Sequence, residues 1–233
     1  MKKSKKVILL LSGGLDSSTI AYLARKSSFY KNNRVFSLTF NYGQKHKKEL
    51  LAASKVAKQI GVEEHKVIKF DLKSWGGSSL TDKRKKIPTN RRLFKNQALT
   101  HKSIPNTYVP ARNTIFLCFA TAYAEAIRAE EIYLGVNSID YSGYVDCRPI
   151  FIKKFQDLIK VATVRGIDGK PIKIKTPLIN LTKAEIIKLV GFILITILFT
   201  SVGLLPLTLK SLNPTVSLRS IEANLTEISS PFK

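Results

Sequence analysis

A doubly wound α/β fold built on a parallel sheet is the fold class this sequence predicts, and three observations point to it. An unbroken apolar run, Val7 to Leu11, ends in Ser12-Gly13-Gly14 and hands over to a helical pattern. Short apolar runs then alternate with amphipathic segments along most of the chain, the pattern of successive βα units. The composition is that of an ordinary globular domain, with 44% hydrophobic and 24% charged residues among 233. Sheets of this kind bind ligands at the C-terminal ends of their strands.

Taken in order, Val7 to Leu11 reads as a strand buried on both faces, because no polar residue interrupts it. The glycines stop it. Ser17 to Lys26 carries Ile20, Leu23 and Ala24 at helical spacing, which predicts a helix opening near Ser17. Val35 to Phe40 reads as a second strand, followed by Asn41-Tyr42-Gly43. Glu49 to Ile60 places Leu50, Ala53, Val56, Ala57 and Ile60 on one helical face, with Gly61 as the C-cap. A third strand is expected over Glu64 to Leu72, a long helix over Asn113 to Arg128 and a short strand over Glu131 to Val136. Pro149 to Arg165 predicts another amphipathic helix, and Thr182 with Glu185 forms a capping box that starts one more. The expected organisation is one domain over residues 1–189 and an atypical apolar tail over 190–233.

Charge is the first unusual property. The chain has 39 Lys and Arg against 16 Asp and Glu, a net +23. Such a bias suits anionic partners, although Lys used only to solvate the surface gives the same number. It is unevenly spread: from Lys83 to Lys102 there are eight Lys or Arg and no acid, in a stretch that reads as a surface loop. Lys2 to Lys6 followed by an apolar run imitates a secretion signal, but the run is too short for one. A cytoplasmic protein is expected. Cys118 and Cys147 then read as reduced thiols.

The sequence Leu11-Ser12-Gly13-Gly14-Leu15-Asp16-Ser17-Ser18-Thr19 is built for an anion. Glycines allow backbone geometries closed to other residues and a close main-chain approach. Successive N–H groups, the positive end of the following helix and the serine hydroxyls then face one point. An acid at position 16 would repel phosphate, so Asp16 is expected either to hold Mg²⁺ or to cap the loop's own amides. The chain has no Gly-x-x-x-x-Gly-Lys-Ser/Thr and no Gly-x-Gly-x-x-Gly after this strand, which excludes a Walker loop and disfavours a Rossmann dinucleotide fold.

Ser12-Gly13-Gly14-Leu15-Asp16-Ser17 resembles the signature of the PP-loop, or N-type, ATP pyrophosphatases. Further stretches narrow the likeness: Thr39 to His46, Ser78-Ser79-Leu80-Thr81, Ile104 to Asn113, Gly135-Val136-Asn137 and Asp140 to Arg148. Together, from Val7 to about Leu189, they resemble the 7-cyano-7-deazaguanine synthases of the queuosine precursor pathway. That resemblance implies ATP-driven conversion of 7-carboxy-7-deazaguanine and ammonia into the nitrile, through an adenylated carboxylate. It implies ATP and Mg²⁺ as cofactors and small molecules as partners. It leaves room for a homodimer and requires neither a membrane nor nucleic acid. ATP is expected on residues Leu11 to Thr19. Asp16, Arg112 and Asp140 are the catalytic candidates, and Arg112, Asn113, Asp140, Tyr141, Ser142, Asp146 and Arg148 are expected around the substrate. Arg112 suits a phosphate or a carboxylate through its forked donors. Asp140, Asp146 and Arg148 suit the edge of a purine-like ring, unless they simply hold a turn. Cys147 adjoins them without being read as a nucleophile, and His46, His65 and His101 are not expected to be catalytic.

The likeness fails in the tail. The family's four cysteines, spaced for tetrahedral zinc, have no counterpart, because no cysteine follows Cys147. Leu189 to Leu209 runs without a charge, long enough to suggest a membrane span, for which an enzyme of this family has no use. A frameshift accounts for it better. Leu194 to Gly203 can be encoded by codons that, shifted by two bases, read Asp-Tyr-Tyr-Ser-Leu-Tyr-Lys-Cys-Trp, close to the family's approach to its first zinc cysteine. An out-of-frame product is expected to be inactive or unstable. Two alternatives remain beside the synthase: a PP-loop enzyme that modifies tRNA, favoured by the basic stretch, and an inactive remnant.

Overall fold

In the computed structural model, the described residues are 4–26, 33–44, 48–82 and 104–191. They form one five-stranded sheet in the order β3-β2-β1-β4-β5. The strands are β1 (Lys6–Leu10), β2 (Arg34–Asn41), β3 (Glu64–Lys69), β4 (Glu131–Tyr133) and β5 (Lys173–Lys175). Every pairing is parallel, with Val7 opposite Val35 on one side and Glu131 on the other. The helices are α1 (Leu15–Lys26), α2 (Lys48–Ile60), α3 (Arg112–Ala126), α4 (Ser138–Gly143), α5 (Pro149–Ala162) and α6 (Val164–Ile167). Residues 183–191 form a last helix, α7.

The sheet is doubly wound, as expected, because alternate residues of β1 enter opposite cores. Ile8 and Leu10 pack with Leu117, Ala120 and Ala124 of α3 and with Ile152, Phe155 and Ile159 of α5. Val7 and Leu9 pack on the other face with Ile20 and Ala24 of α1, Ala53 and Ala57 of α2, and Ile186 and Leu189 of α7. β1 is buried from both sides, which is why its sequence is continuously apolar. The chain leaves β1 for β2 and β3 on one side, then returns to β4 on the other. A crevice therefore opens at the C-terminal ends of β1 and β4, where the winding direction reverses.

Local chemistry explains the boundaries. Gly61 (φ +69) ends α2 in a Schellman arrangement, with Gly61 N–H on the Lys58 carbonyl and Val62 N–H on that of Ala57. The capping box opens α7: Thr182 N–H donates to Glu185 Oε2 at 2.7 Å, and Glu185 N–H to Thr182 Oγ1 at 3.3 Å. Two expectations need correction, and two elements were not assigned from sequence. α1 opens at Leu15 rather than Ser17, since the turn is complete within Gly13-Gly14. The helix expected over Pro149 to Arg165 breaks at Thr163, whose hydroxyl donates to the Ile159 carbonyl and accepts from Gly166 N–H. Residues 138–143, given no element from sequence, form α4, and β5 was likewise unassigned. The basic stretch Lys83 to Lys102, His46, His101 and residues 192–233 lie outside the described residues.

Candidate active site

The phosphate loop is held by its own hydroxyls. Ser12 N–H donates to Ser17 Oγ at 3.2 Å, and Ser17 Oγ–H donates to the Gly14 carbonyl at 3.1 Å. Ser17's proton is thus committed, so Ser12 Oγ donates to Ser17 Oγ at 3.0 Å and accepts from Gly14 N–H at 3.3 Å. Gly13 has φ +80, and a Cβ there would lie 2.5 Å from Ala53 N and 2.6 Å from the Glu49 carbonyl. The loop is therefore pressed onto α2, and only glycine fits. On its other side Gly135, after β4, lets the chain approach Ser17, where a Cβ would meet the backbone at 3.2 Å. The first-turn N–H groups of α1 have no intrahelical acceptor, and they open onto the crevice.

That crevice is a cavity of about 270 Å³. Of the expected nucleotide residues, Leu11, Ser12, Gly14, Asp16 and Ser17 line it. Gly13, Leu15, Ser18 and Thr19 do not. Thr19 is buried, its hydroxyl on the Leu15 carbonyl, so its role is to hold α1. Asp16 does not cap the loop's amides. Lys183, at the start of α7, approaches both its oxygens at 2.8 and 2.6 Å, and Asn137 Nδ2 donates to it at 3.0 Å.

Arg112, Asn113 and Asp140 line the same cavity. Arg112 begins α3, at the end where the helix dipole disfavours a cation. Its guanidinium lies 5.9 Å from the Tyr42 ring centre and 5.8 Å from that of Phe116, and no described carboxylate is within 4.0 Å of it. Burial works against its charge, but Tyr42, Cys147 and Asp146 outweigh burial and hold its pKa above the usual value. A cation placed against a dipole, with no described carboxylate in direct contact, is a local conflict of the kind binding sites keep. Asp140 is pushed above the ordinary carboxylate range by burial and by Asp16, while Asn137, Lys183 and Arg112 act the other way.

The remaining substrate candidates separate. Asp146 is buried, and its Oδ2 accepts from Asn113 N–H at 2.8 Å, so it fastens the start of α3 instead of facing the cavity. Arg148 is exposed before α5 and also lies off the lining. Tyr141 and Ser142 sit on α4, and their side chains are outside the described set. Cys147 does line the cavity. Burial and the nearby Asp146 and Asp140 push its thiol up, which suits the inert role expected. Sequence reasoning gave no role to Lys183, Asn137, Tyr42, Thr39 or Gln44. Of these only Asn137, Tyr42, Thr39 and Gln44 fell within the motif stretches, and nothing in a lysine at a helix start marks it as a partner of residue 16.

An anion-binding loop at the switch point of a parallel sheet, facing an arginine across one cavity, defines a nucleotide-binding α/β protein of the PP-loop class. The chain belongs to the family described as queuosine biosynthesis protein QueC, whose family model matches residues 6–197. It is 55% identical over 187 residues to the 7-cyano-7-deazaguanine synthase of Prochlorococcus marinus strain MIT 9215, covering 80% of this chain and 79% of that one. It is likewise 55% identical over 184 residues to the 7-cyano-7-deazaguanine synthase of a Cyanothece species, covering 79% and 77%. Among solved structures, the tRNA thiolase NcsA of Methanococcus maripaludis superposes with a TM-score of 0.46 at 20% identity, over 98% of this chain and 65% of that one, too loosely to add to the assignment. The family match runs past residue 189, the boundary expected from the sequence, into the apolar tail.

Proposed function

We propose that this protein converts 7-carboxy-7-deazaguanine to 7-cyano-7-deazaguanine with ATP and ammonia, a C–N ligation in queuosine biosynthesis. The observation that carries this reading is the meeting, in one cavity, of the phosphate loop and Arg112. One wall suits a nucleotide's phosphates, the other a carboxylate. The relatives' shared name supplies the substrate.

A carboxylate is a poor electrophile, because its carbon bears delocalised negative charge and its oxygen leaves badly. Attack of the substrate oxygen on the α-phosphorus of ATP expels pyrophosphate and gives an acyl adenylate. Ammonia adds to the activated carbon, AMP departs and the amide remains. The amide oxygen then attacks the α-phosphorus of a second ATP, expelling pyrophosphate, and loss of AMP and both N–H protons leaves the nitrile. The chain contributes positioning and charge: Ser12, Ser17 and the α1 amides on the phosphates, Arg112 on the carboxylate, and Asp16 and Asp140 as anionic counterparts.

Were magnesium to bind with the nucleotide, Asp16 and Asp140 are the residues that would hold it. Asp16 and Asp140 both line the cavity, and Mg²⁺ is commonly held by one or two carboxylates plus phosphate. When bound it would neutralise phosphate charge. Zinc does not fit the residues present. The chain has two cysteines, Cys118 exposed on α3 and Cys147 buried on the cavity wall, and among the described residues neither has the companions a tetrahedral site needs. No described helix is long and apolar enough to cross a membrane, and a reaction driven by ATP on a small soluble heterocycle belongs in the cytoplasm.

Nitrile formation from the 7-carboxy substrate with ATP and ammonium, followed through AMP and pyrophosphate, tests the proposal. A purified protein that turns over no nucleotide with this substrate would overturn it. The net charge of +23 favours a second reading, a PP-loop enzyme acting on tRNA. Activity on the free deazapurine excludes it, whereas tRNA retained at moderate salt without such activity supports it. For the tail, the out-of-frame proposal is decided by the gene's nucleotide sequence: no cysteine cluster in either alternative frame, and it fails.

A further inference from the structure

β2 ends at Asn41, and the next residues make a turn through Gly43 (φ +88), where a Cβ would lie 2.5 Å from the Lys73 side chain. Gln44 spans this turn with both ends of its buried amide. Its Oε1 accepts from Tyr42 N–H at 3.0 Å and its Nε2 donates to the Phe40 carbonyl at 3.0 Å. Leu72 N–H takes the Tyr42 carbonyl at 3.1 Å. The Tyr42 backbone is thus fixed on both sides, and its ring, 7% exposed, packs against Phe116 with centroids 5.5 Å apart.

The hydroxyl at the end of this ring has an unfinished set of bonds. Its contact is with Arg112 Nη1, at a long 3.4 Å. Arginine has donors and no acceptor, so the tyrosine oxygen accepts here, and its own proton is committed to no described residue. A buried hydroxyl proton without an acceptor is unfavourable, and Tyr42 lines the same cavity as the phosphate loop. Side by side, the Tyr42 O–H and the Arg112 guanidinium offer donors that match the two acceptor oxygens of one carboxylate.

We propose that Tyr42 and Arg112 form a single clamp for the substrate carboxylate, and that the same pair holds the oxyanion produced when ammonia adds to the activated carbon. The inference rests on the synthase reading above. In that step the ammonia lone pair forms the C–N bond and the carbonyl π pair moves onto oxygen, where Tyr42 O–H and Arg112 N–H receive it. Collapse restores the carbonyl, breaks the bond to AMP and releases the amine proton to solvent. Tyr42 is then a catalytic residue. Gln44 is a positioning residue, acting through the Tyr42 backbone.

Tyr42→Phe keeps the ring beneath Arg112 and removes the O–H. Binding of 7-carboxy-7-deazaguanine, of 7-deazaguanine without the carboxyl, and of ATP is measured calorimetrically, together with nitrile turnover. The clamp predicts a loss of about 10- to 100-fold in kcat/KM and in affinity for the carboxylate, the usual scale for a hydrogen bond to a charged group. ATP and 7-deazaguanine should bind within about twofold of wild type, a pattern that a merely structural role would not give. Gln44→Ala should produce a smaller loss in the same direction, reversed in part by Gln44→Glu, which retains the acceptor for Tyr42 N–H. Equal carboxylate affinity and turnover in wild type and Tyr42→Phe would overturn the clamp while leaving the synthase reading intact. A wild-type protein that binds neither ATP nor the carboxylate overturns both.

Discussion

The two walls of the cavity are built in opposite ways. The phosphate wall is local in its hydrogen bonds: residues 11–17 close on themselves through Ser12 and Ser17 within one strand–turn–helix, while α2 and Gly135 pack against them from outside. The other wall is assembled from the turn after β2, the start of α3 and α4, with Tyr42, Arg112 and Asp140 each arriving from a different element. A local anion site can be carried by a short motif and serve many chemistries. A wall assembled from distant elements is where substrate choice is set, since each contributor changes independently of the loop.

If the division is real, damage to the loop should abolish nucleotide binding, and damage to the other wall should spare it. The largest effect is expected from Gly13→Ala. The left-handed backbone costs about 1–2 kcal/mol for a non-glycine residue, and the contacts of 2.5 and 2.6 Å force the loop off α2. ATP affinity should fall at least about 100-fold, by more than 2.7 kcal/mol, with a lowered Tm, as read by calorimetry and thermal melting. Next comes Arg112→Lys. A lysine retains charge but not the planar fork, so turnover should drop about 100-fold while ATP binding stays near wild type, separated by comparing kcat with the nucleotide Kd.

Lys183→Met should give an intermediate result, because the residue lies off the cavity lining yet touches the loop through Asp16. It removes the cation from Asp16, leaving a carboxylate beside the phosphates; the pair is partly exposed, so a loss in ATP affinity of about tenfold is expected, with Tm changed little. A variant with wild-type ATP affinity would place Lys183 among surface ion pairs of no consequence. The smallest effect lies away from both walls. Burial holds the His65 pKa below its ordinary value, with Ser37 Oγ 2.8 Å from Nδ1. The unfolded chain therefore takes up a proton first, and stability should fall as pH drops below about 6.5, until the folded histidine also titrates. Denaturant midpoints at pH 7.5 and 5.5 should differ less in His65→Gln than in wild type, with no change in ATP affinity at either pH.

Most of the fold was legible because it is written in local periodicity. Val7 to Leu11 is apolar throughout since β1 is covered on both faces, and Thr182 with Glu185 announced a helix start through two adjacent hydrogen bonds. α4 and β5 escaped because six and three residues are too short to show a period. Of the residues lining the cavity, Ser12, Gly14, Asp16 and Ser17 were singled out by motif, and Arg112 and Asp140 by position. Asp146 was expected beside the substrate and lies off the cavity lining, on Asn113 N–H: a carboxylate near a pocket in sequence can equally satisfy a helix N-terminus, and only the direction of its side chain separates the two.

By itself, then, the sequence determined the phosphate loop, the doubly wound sheet that presents it and the family to which the chain belongs, because strand burial, glycine geometry and helix capping act over a few neighbouring residues. Only the tertiary structure decided what faces the loop. Asp16 and Lys183 are 167 positions apart, and Tyr42 and Arg112 are 70 apart. Contacts at such separations follow from the order in which strands enter the sheet, and no local preference encodes that order.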